Sequence, residues 1–401
     1  MRPFGSLISY QKAREVVDSH IQPITRSESV SIDDAVNRIL SQDLVSVMNV
    51  PPFNRASMDG YAVKAKDTFG AGQFKPKLLK IIGEIHAGEK AINKIKTGEC
   101  LQISTGAMMP DGADAVMMVE DTERDDDKVK IFKSVTPCSN IGKMGEDIKE
   151  GTAVLKADVL LDAGKVGVLA SQGLSQVKVY QKPKIAIIPT GEEVVQAGNK
   201  LDSGQLYDIN SHTIAALVNV SGGTPVKIGI AGDETEELRT TIEEALKSDI
   251  VVLSGGSSVG ERDLLVDVIE GWGEILFHGV QVKPGKPTIF AMIGGKPLLG
   301  MPGYPTSCLI NSYLFLAPAI RKMAHLPPRR LETVKAKLSR SVPGSTGRRQ
   351  FLTVKLVGDE AVSVFKESGT ITSIANADGY IEIPENIDLL EKGTIVTVTL
   401  F

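Results

Sequence analysis

The stretch "DIVVLSGGSSVGERDLL", residues 249–265, joins a short apolar run to a second apolar pattern through two glycines and two serines. An apolar run that ends in glycines and is followed by a polar loop and a new apolar pattern is typical of a strand that leads into a helix. A plain turn needs fewer glycine, serine and charged residues than this loop contains. The stretch therefore predicts a strand, a ligand-binding loop and a helix, in that order.

The same order recurs from residue 184 to about residue 323. Runs typical of strands and runs typical of helices alternate: "KIAIIP" (184–189), "DINSHTIAALVNVSGG" (208–223), "PVKIGIAG" (225–232), "ETEELRTTIEEALKS" (234–248) and "DIVVL" (249–253). This alternation predicts a three-layer α/β domain whose mostly parallel sheet is covered by helices on both faces. "TIFAMIGGKPLLG" (288–300) predicts a hairpin with a Gly-Gly turn, and "CLINSYLFLAPAI" (308–320) predicts a further helix.

The rest of the chain predicts a multidomain protein of the α/β plus β class. Residues 9–21 have helical periodicity, and Ser31 is a candidate N-cap for a second helix that runs toward Leu40. Short β-prone runs between Gly and Pro follow from about residue 51, and residues 141–182 are partly helical again. The predicted domains are 1–50 with 141–182 (N-terminal mixed domain), 51–140 (small inserted β domain), 183–326 (α/β domain) and 327–401 (small C-terminal β domain).

Composition excludes several function classes. The 401 residues are 42% hydrophobic and 23% charged with a formal net charge of −4, which is typical of a globular protein and argues against broad nucleic-acid or anionic-membrane binding. No run reaches the roughly 18 apolar residues of a membrane span, and the N-terminus lacks a signal-peptide pattern. Three scattered cysteines outside any CxxC pattern predict reduced thiols. We expect a cytoplasmic protein.

Three loops at the predicted carboxyl edge of the sheet carry acids near glycine. These are "PTGEEV" (189–194), "AGDETEEL" (231–238) and the opening stretch, with Glu193, Asp233 and Asp263 as candidate ligands. Carboxylates that converge at this edge would bind Mg²⁺, and Mg²⁺ would bind phosphate. The alternative is structural, because the pairs Thr190/Glu193 and Ser258/Glu261 both fit a capping box at a helix start.

Residues that can hold anions lie in the same region. Gly255, Gly256, Ser257 and Ser258 would let a phosphate approach backbone N–H groups, although the GxGxxG and GxxxxGK[ST] spacings are absent. In "VKPGKPTIF" (282–290), Lys283 and Lys286 lie on a loop that is stiffened by prolines. They suit an oxyanion or a phosphate, and the alternative is two solvated lysines in a turn.

Taken together, the motifs resemble the MoeA family of molybdopterin molybdenumtransferases, which includes the E domain of gephyrin. The similar segments run in the family's order over nearly the whole chain: "PPFNRASMDGYAV" (51–63), "STGAMMPDGADAVMMVE" (104–120), "GEDI" (145–148), "PTGEEV", "SGGSSVGERD", "KPGKP" (283–287), "MPGYPTS" (301–307) and, more weakly, "SGTITSIANADGY" (368–380).

The resemblance implies a MogA-like α/β domain in a homodimer whose active site is shared between subunits. The implied substrates are molybdate and adenylylated molybdopterin, AMP is released, and Mg²⁺ or a similar divalent ion is required. Implied site residues from one subunit are Asp59, Thr105 and Asp147. The partner subunit would supply Glu193, Asp233, Asp263, Lys283 and Lys286, together with Pro302 and Pro305. The C-terminal domain would supply Arg348 and Ser373. Molybdopterin adenylyltransferase and apo-molybdoenzymes would be transient partners, with no nucleic acid or membrane involved.

Three positions depart from the pattern of the family. Gly279 stands where many members carry lysine, Tyr304 replaces an asparagine, and Thr353 occupies a position where arginine is common. These departures leave a tungstate-using insertase of the same family open. Two rival classes also stay open: a related enzyme that adenylylates the pterin, and a non-catalytic, gephyrin-like scaffold.

Overall fold

The computed structural model describes residues 7–90, 94–232, 234–255 and 264–401. The chain forms two compact units. The first unit comprises the segment up to Glu28 together with Tyr180–Phe401, and the second unit is Ser29–Val179. Two strands, Ser27–Ser31 and Gln176–Tyr180, contain the points at which the chain passes from one unit to the other.

A six-stranded sheet forms the centre of the α/β domain in the first unit. Its spatial order is Thr224–Lys227, Lys184–Pro189, Ile250–Ser254, Lys296–Met301, Ile289–Ile293 and Glu274–His278. The first four strands are parallel, with Ile185 opposite Ile250 and Val251 opposite Leu298. The fifth strand is antiparallel to both of its neighbours, and Gly294 and Gly295, both with positive φ, form the predicted hairpin turn between it and the fourth strand. The carboxyl ends of the parallel strands therefore share one edge of the sheet.

Helices cover both faces of this sheet, because its strands are apolar on both sides. The helices of the first unit are Tyr10–His20, Asn210–Val220, Thr235–Ala245, Leu264–Glu270, Pro305–Asn311, Ala317–Met323 and Thr372–Ala375, and a π-helical turn at Ser312–Leu316 joins two of them. One face packs Ile187 and Val252 against the helix that starts at Asn210, and the other packs Ile188 and Leu253 against the helix that starts at Thr235. The fold class predicted from sequence is confirmed.

The C-terminal strands form a second six-stranded sheet. Its order is Val282–Lys283, Arg349–Val357, Glu360–Ser363, Thr333–Leu338, Ile395–Leu400 and Gly379–Ile383, and the second strand also pairs with the last. The first strand comes from the α/β domain and runs parallel to the second, with Lys283 opposite Gln350. The loop that carries Lys283 and Lys286, called the lysine loop below, is thus attached to the C-terminal sheet. The short strand pairs of this unit are Val194–Val195 with Leu206–Tyr207 and Val342–Pro343 with Leu389–Leu390.

The second unit is built mainly of strands. Its six-stranded sheet has the order Ala115–Met118, Gly60–Val63, Glu99–Ile103, Lys77–Ile85, Lys128–Ile131 and Thr122–Asp125. Short strand pairs join Leu44–Val45 to Ala153–Leu155 and Arg55–Ala56 to Ile141–Gly142. The helix Ala163–Ser171 begins at Asp162, whose carboxylate accepts a hydrogen bond from the N–H of Lys165. The 3₁₀ turns are Ile32–Asp34, Ala65–Thr68 and Val119–Asp121.

One local prediction from sequence is wrong, and one structural alternative is absent. Ser31 does cap a turn, but only the 3₁₀ segment Ile32–Asp34 follows, because Asn37 adopts a φ of 64° that an α-helix cannot contain. The segment 190–193 does not begin a helix either. Gly191 has a φ of 130°, the N–H of Val194 closes a turn on the Gly191 carbonyl, and a short strand follows. None of the helices in the described part of the chain is long and apolar enough to cross a membrane.

Candidate active site

Three strand ends meet at the carboxyl edge of the α/β sheet. The backbone N–H of Thr190 donates to the carbonyl of Ser254 at 3.0 Å, and the N–H of Gly255 donates to the carbonyl of Met301 at 3.1 Å. Gly303, which follows the fourth strand, lies so close that a Cβ atom on it would be 3.5 Å from the Gly255 Cα. The edge therefore brings Thr190, Gly255 and Gly303 together, at the kind of position where ligands bind in open parallel sheets.

Glycine is required at position 255 for two physical reasons. Its φ of 102° is disfavoured for residues with a side chain, and an added Cβ would lie 2.7 Å from the Thr190 hydroxyl oxygen and 2.8 Å from its carbonyl oxygen. A side chain at this position would collide with Thr190 at the neighbouring strand end. Glycine lets the two backbone segments approach this closely, and the anion-binding role expected for Gly255 stays a prediction.

Glu193 lies beside this edge and its carboxylate is exposed. The side chain folds back over Gly191, since a Cβ atom on that glycine would be 2.8 Å from Glu193 Oε2. A carboxylate in this position can offer oxygen to a hard cation such as Mg²⁺.

The other two candidate metal ligands, Asp233 and Asp263, lie outside the described residues, as do Gly256, Ser257 and Ser258. Within the described ranges, no group of three His, Cys, Asp or Glu side chains is placed to hold a metal ion.

A cavity of about 230 Å³ opens between the ends of the first two strands. Its lining mixes apolar residues with Asp208, Ser211, His212 and Lys227. Asp208 is buried and accepts hydrogen bonds from the Ser211 backbone N–H, at 2.9 Å, and from the Ser211 hydroxyl. At the rim, the Lys227 ammonium lies 3.0 Å from His212 Nδ1.

One buried side chain, that of Asn311, holds the lysine loop in place. Asn311 is fully buried, and its Nδ2 donates to the carbonyls of Pro284, at 3.1 Å, and Ser307, at 2.7 Å. Its Oδ1 accepts a hydrogen bond from the Thr288 hydroxyl at 3.2 Å. These bonds connect both ends of the turn between Lys283 and Thr288 to the helix Pro305–Asn311. The cations of this loop are therefore carried on a rigid support.

The residues proposed to hold the oxyanion differ in their accessibility. Lys283 and Arg348 are half-buried, and neither side chain has a hydrogen bond or ion pair with the described residues. Ser373, by contrast, is fully buried and its hydroxyl accepts a hydrogen bond from the Lys366 backbone N–H at 3.0 Å. Gln350, next to Lys283 in the sheet, is also buried, and its Oε1 has no partner among the described residues. The structure thus presents Lys283 and Arg348 as charged groups, whereas Ser373 orders the segment that precedes it.

In the second unit, Asp59 and Thr105 form a compact pair. Asp59 Oδ1 accepts hydrogen bonds from the Thr105 backbone N–H, at 2.7 Å, and from its hydroxyl, at 3.0 Å. These two bonds, the backbone bond first, hold the pKa of the Asp59 carboxyl below its usual value. The carboxylate is exposed and remains charged at neutral pH, so it can bind a cation or position a polar substrate.

Asp147 belongs to the same unit and is also exposed. Its backbone N–H donates to the carbonyl of Val50 at 3.0 Å, and a bridge pairs Val50 with Ile148. Since the segment from Val50 to Asp59 continues to the Thr105 pair, the three candidates of this unit lie on loops that are bonded to one another. No contact between the carboxylates of Asp59 and Asp147 is present among the described residues.

Several residues of the site are not predictable from sequence. Asn311 lies in an apolar helical pattern that gives no sign of its role, and Gln350 lies in an ordinary strand. Asn210 is predicted only as part of a helix, yet its Nδ2 donates to the Gly303 carbonyl at 2.8 Å. Its Oδ1 is buried and lacks a partner in the described structure. A buried polar atom without a partner is a recognised sign of a functional site, but it can be seen only in three dimensions.

Comparison with family models covers most of the chain. The MoeA N-terminal region (domain I and II) matches residues 8–173. The probable molybdopterin binding domain matches residues 186–322, which contain the strand edge and the lysine loop. The MoeA C-terminal region (domain IV) matches residues 335–401.

Similar proteins share both sequence and structure over the full length. The crystal structure of a molybdopterin biosynthesis MoeA protein from Pyrococcus horikosii is 43% identical, with a TM-score of 0.87, and the match covers 98% of this chain and 99% of that one. A second such protein, from Pyrococcus horikoshii OT3, is 32% identical with a TM-score of 0.80 and coverage of 99% and 100%. The molybdopterin molybdenumtransferase of Haemophilus influenzae is 31% identical over 98% of this chain and 99% of its own.

Proposed function

The chain belongs to the MoeA family, and on that premise we propose that it is a molybdopterin molybdenumtransferase of molybdenum cofactor biosynthesis. In the proposed reaction, molybdenum from molybdate enters the dithiolene of adenylylated molybdopterin and AMP is released. The observation that carries the proposal is the convergence of Thr190, Gly255 and Gly303 at the strand edge of the molybdopterin-binding region, in the same unit as the lysine loop. We propose that it works in the cytoplasm, with molybdopterin adenylyltransferase and apo-molybdoenzymes as transient partners.

The phosphate end of the substrate is assigned to the carboxyl edge of the α/β sheet, at Gly255. The loop that begins at Gly255 follows the third strand, where glycines would let a phosphate approach the backbone, and Glu193 lies beside this edge. Glu193, Asp233 and Asp263 would hold Mg²⁺ or a similar divalent ion, since oxygen ligands are the donors that this ion prefers. When bound, the ion would neutralise charge on the phosphate oxygens during cleavage of the anhydride.

The role of Glu193 can be tested against its neighbour. Glu192→Gln is the matched control, because Glu192 is also exposed and lies in the same turn. We expect Glu193→Gln to need a higher Mg²⁺ concentration for AMP release, while Glu192→Gln behaves like the wild type. Equal Mg²⁺ dependence of the two variants would remove Glu193 from the proposed metal site.

The oxyanion is assigned to Lys283, Lys286 and Arg348. Thr353 is fully buried and Gly279 has no side chain, so neither of them adds the cation that relatives often carry. A site of charge alone distinguishes poorly between two tetrahedral dianions of similar size. We therefore expect both molybdate and tungstate to be used. Lys283→Ala and Lys286→Ala should raise the concentration of each that is needed, with Lys200→Ala, an exposed lysine, as control. Loss of pterin binding with unchanged oxyanion dependence would reassign the loop to phosphate.

A homodimer with shared active sites is proposed from the family resemblance. Asp59 and Asp263 would then come from different subunits, so mixing inactive Asp59→Ala with inactive Asp263→Ala subunits should restore part of the AMP release. In a mixed dimer, one site carries both substitutions and the other carries none. If exchange of subunits is verified and no activity returns, each site is contained within one chain.

A further inference from the structure

Tyr304 is an exposed aromatic side chain in the middle of the candidate site. Its residue is 67% exposed, and it stands between Pro302 and Pro305 in the turn that follows the fourth strand. Hydrogen bonds fix the turn on both sides: the Gly303 carbonyl accepts from Asn210 Nδ2 at 2.8 Å, and the Tyr304 carbonyl accepts from the Cys308 N–H at 2.8 Å. The backbone that carries the ring is therefore ordered before any ligand arrives.

One side of the Tyr304 ring rests on the C-terminal domain. A Cβ atom on Gly369 would lie 3.5 Å from Tyr304 Cδ1 and 3.8 Å from Cε1. The segment that contains Gly369 is bonded to the helix after Tyr304, since the Thr306 N–H donates to the Ser368 carbonyl and the Thr306 hydroxyl donates to the Thr370 carbonyl. The ring is thus supported on one side while most of its surface faces solvent.

The order of features along the strand edge indicates what this surface would bind. The cavity lies at the first two strands, Gly255 follows the third, and Tyr304 follows the fourth. Neighbouring strands are about 4.8 Å apart, so the strand that leads to Tyr304 lies about 10 Å along the sheet from the second strand. Adenylylated molybdopterin has a flat ring system at each end and phosphates between them. Phosphate at Gly255 would direct one ring system to the cavity and the other to Tyr304.

The position of the lysine loop indicates which end of the substrate, pterin or adenosine, lies at Tyr304. Asn311, which holds that loop, is in the helix that begins immediately after Tyr304. Molybdenum must meet the dithiolene, which is attached to the pterin and not to the adenosine. The oxyanion site and the pterin therefore belong on the same side of Gly255, and the adenosine belongs on the side of the cavity.

We propose that the Tyr304 ring is a stacking surface for the pterin ring of the substrate. This inference rests on the proposed function, because it takes the substrate to be a pterin nucleotide. A rigid, exposed ring offers a π face to a flat heterocycle at small entropic cost. Tyr304 is then a specificity-determining residue that positions the dithiolene in front of the lysines.

The test measures the affinity for a fluorescent pterin, 6-carboxypterin, and separately for AMP. Base stacking on an aromatic side chain predicts that Tyr304→Ala weakens pterin binding about 5- to 100-fold, with AMP affinity changed less than about two-fold. Tyr304→Phe should retain pterin binding, because the ring and not the hydroxyl provides the surface. Tyr207→Ala, which removes another exposed tyrosine of the same unit, is the control, and melting temperatures verify folding.

The outcomes separate this inference from the proposed function. Equal pterin affinity of the wild type and Tyr304→Ala, or no pterin binding by the wild type, would overturn the inference even if AMP release proceeds. An equal loss of AMP binding in Tyr304→Ala would also overturn it, because the ring would then belong to the adenosine end. Pterin binding that depends on the ring, in a protein that releases no AMP, would support the inference while refuting the proposed reaction.

Discussion

Replacing Gly285 by alanine should destabilise the protein and disorder the lysine loop. Gly285 has a φ of 105°, and a Cβ atom on it would lie 1.6 Å from Asn311 Nδ2. Asn311 is fully buried in the helix Pro305–Asn311 and cannot rotate into solvent. The alanine methyl group must therefore displace either the loop or the asparagine.

The expected magnitude follows from two contributions. A residue with a side chain costs about 1–2 kcal/mol at a positive φ that favours glycine. Displacing Asn311 breaks its bonds to Pro284, Ser307 and Thr288, at about 1 kcal/mol each, and leaves buried polar groups without partners. The free energy of unfolding should fall by at least about 4–5 kcal/mol in total.

Gly295→Ala provides the matched control. Gly295 has a φ of 76° in the hairpin turn of the same domain, and a Cβ atom on it would have no neighbour within 4 Å. The Gly295→Ala variant should therefore lose only about 1–2 kcal/mol of its free energy of unfolding, from the strained backbone. Urea unfolding of both variants measures the difference, and the molybdate concentration needed for AMP release reports on the loop. Equal destabilisation of Gly285→Ala and Gly295→Ala would refute the role assigned to Asn311.

Two further predictions concern titrating groups. Thr105→Val removes the hydroxyl donor but keeps the backbone donor, so carboxyl NMR should show a partial rise of the lowered Asp59 pKa toward its ordinary value. Because the pKa of Asp59 is lower in the folded state, its carboxylate stabilises the fold at pH values above its ordinary pKa, and this stabilisation is lost as the pH falls through the folded-state pKa. An unchanged Asp59 titration in Thr105→Val would show that the hydroxyl does not contribute to the pair. Burial raises the pKa of Cys100 and Cys308 to about 12, whereas Cys138 is exposed. A thiol reagent at pH 8 should modify only Cys138 until denaturant is added, and rapid labelling of all three thiols would contradict the described burial.

The periodic parts of the fold could be predicted from sequence. The helix Asn210–Val220 and the hairpin that turns at Gly294 and Gly295 follow from local apolar patterns and turn residues, and the structure confirms both. The helix expected from Ser31 is absent because the chain turns at Asn37, whose φ of 64° ends the helical path, although Ile32, Ala35 and Ile39 have the spacing of an apolar helical face. Local sequence did not distinguish the helix that forms at Asn210–Val220 from the helix that does not form after Ser31.

The candidate site could be predicted only in part, because much of it depends on contacts between distant segments. Gly255 and Lys283 can be identified from their own loops, but the pairing of Lys283 with Gln350 joins two domains. The contact between Tyr304 and Gly369 likewise spans the α/β and C-terminal domains. Ser373 carries a hydroxyl that looks available in the sequence, yet the fold buries it against the Lys366 N–H. Burial and long-range hydrogen bonds of this kind have no local signature.

The most direct test of the proposed function is a single-turnover measurement of molybdenum and AMP on the same sample. The protein is mixed with adenylylated molybdopterin, Mg²⁺ and molybdate, AMP is quantified by chromatography, and pterin-bound molybdenum is quantified by mass spectrometry. Coupled insertion predicts equal amounts of the two products at every time point and almost no AMP when the oxyanion is omitted. AMP release at the same rate without any oxyanion, or molybdenum insertion without AMP release, would contradict it.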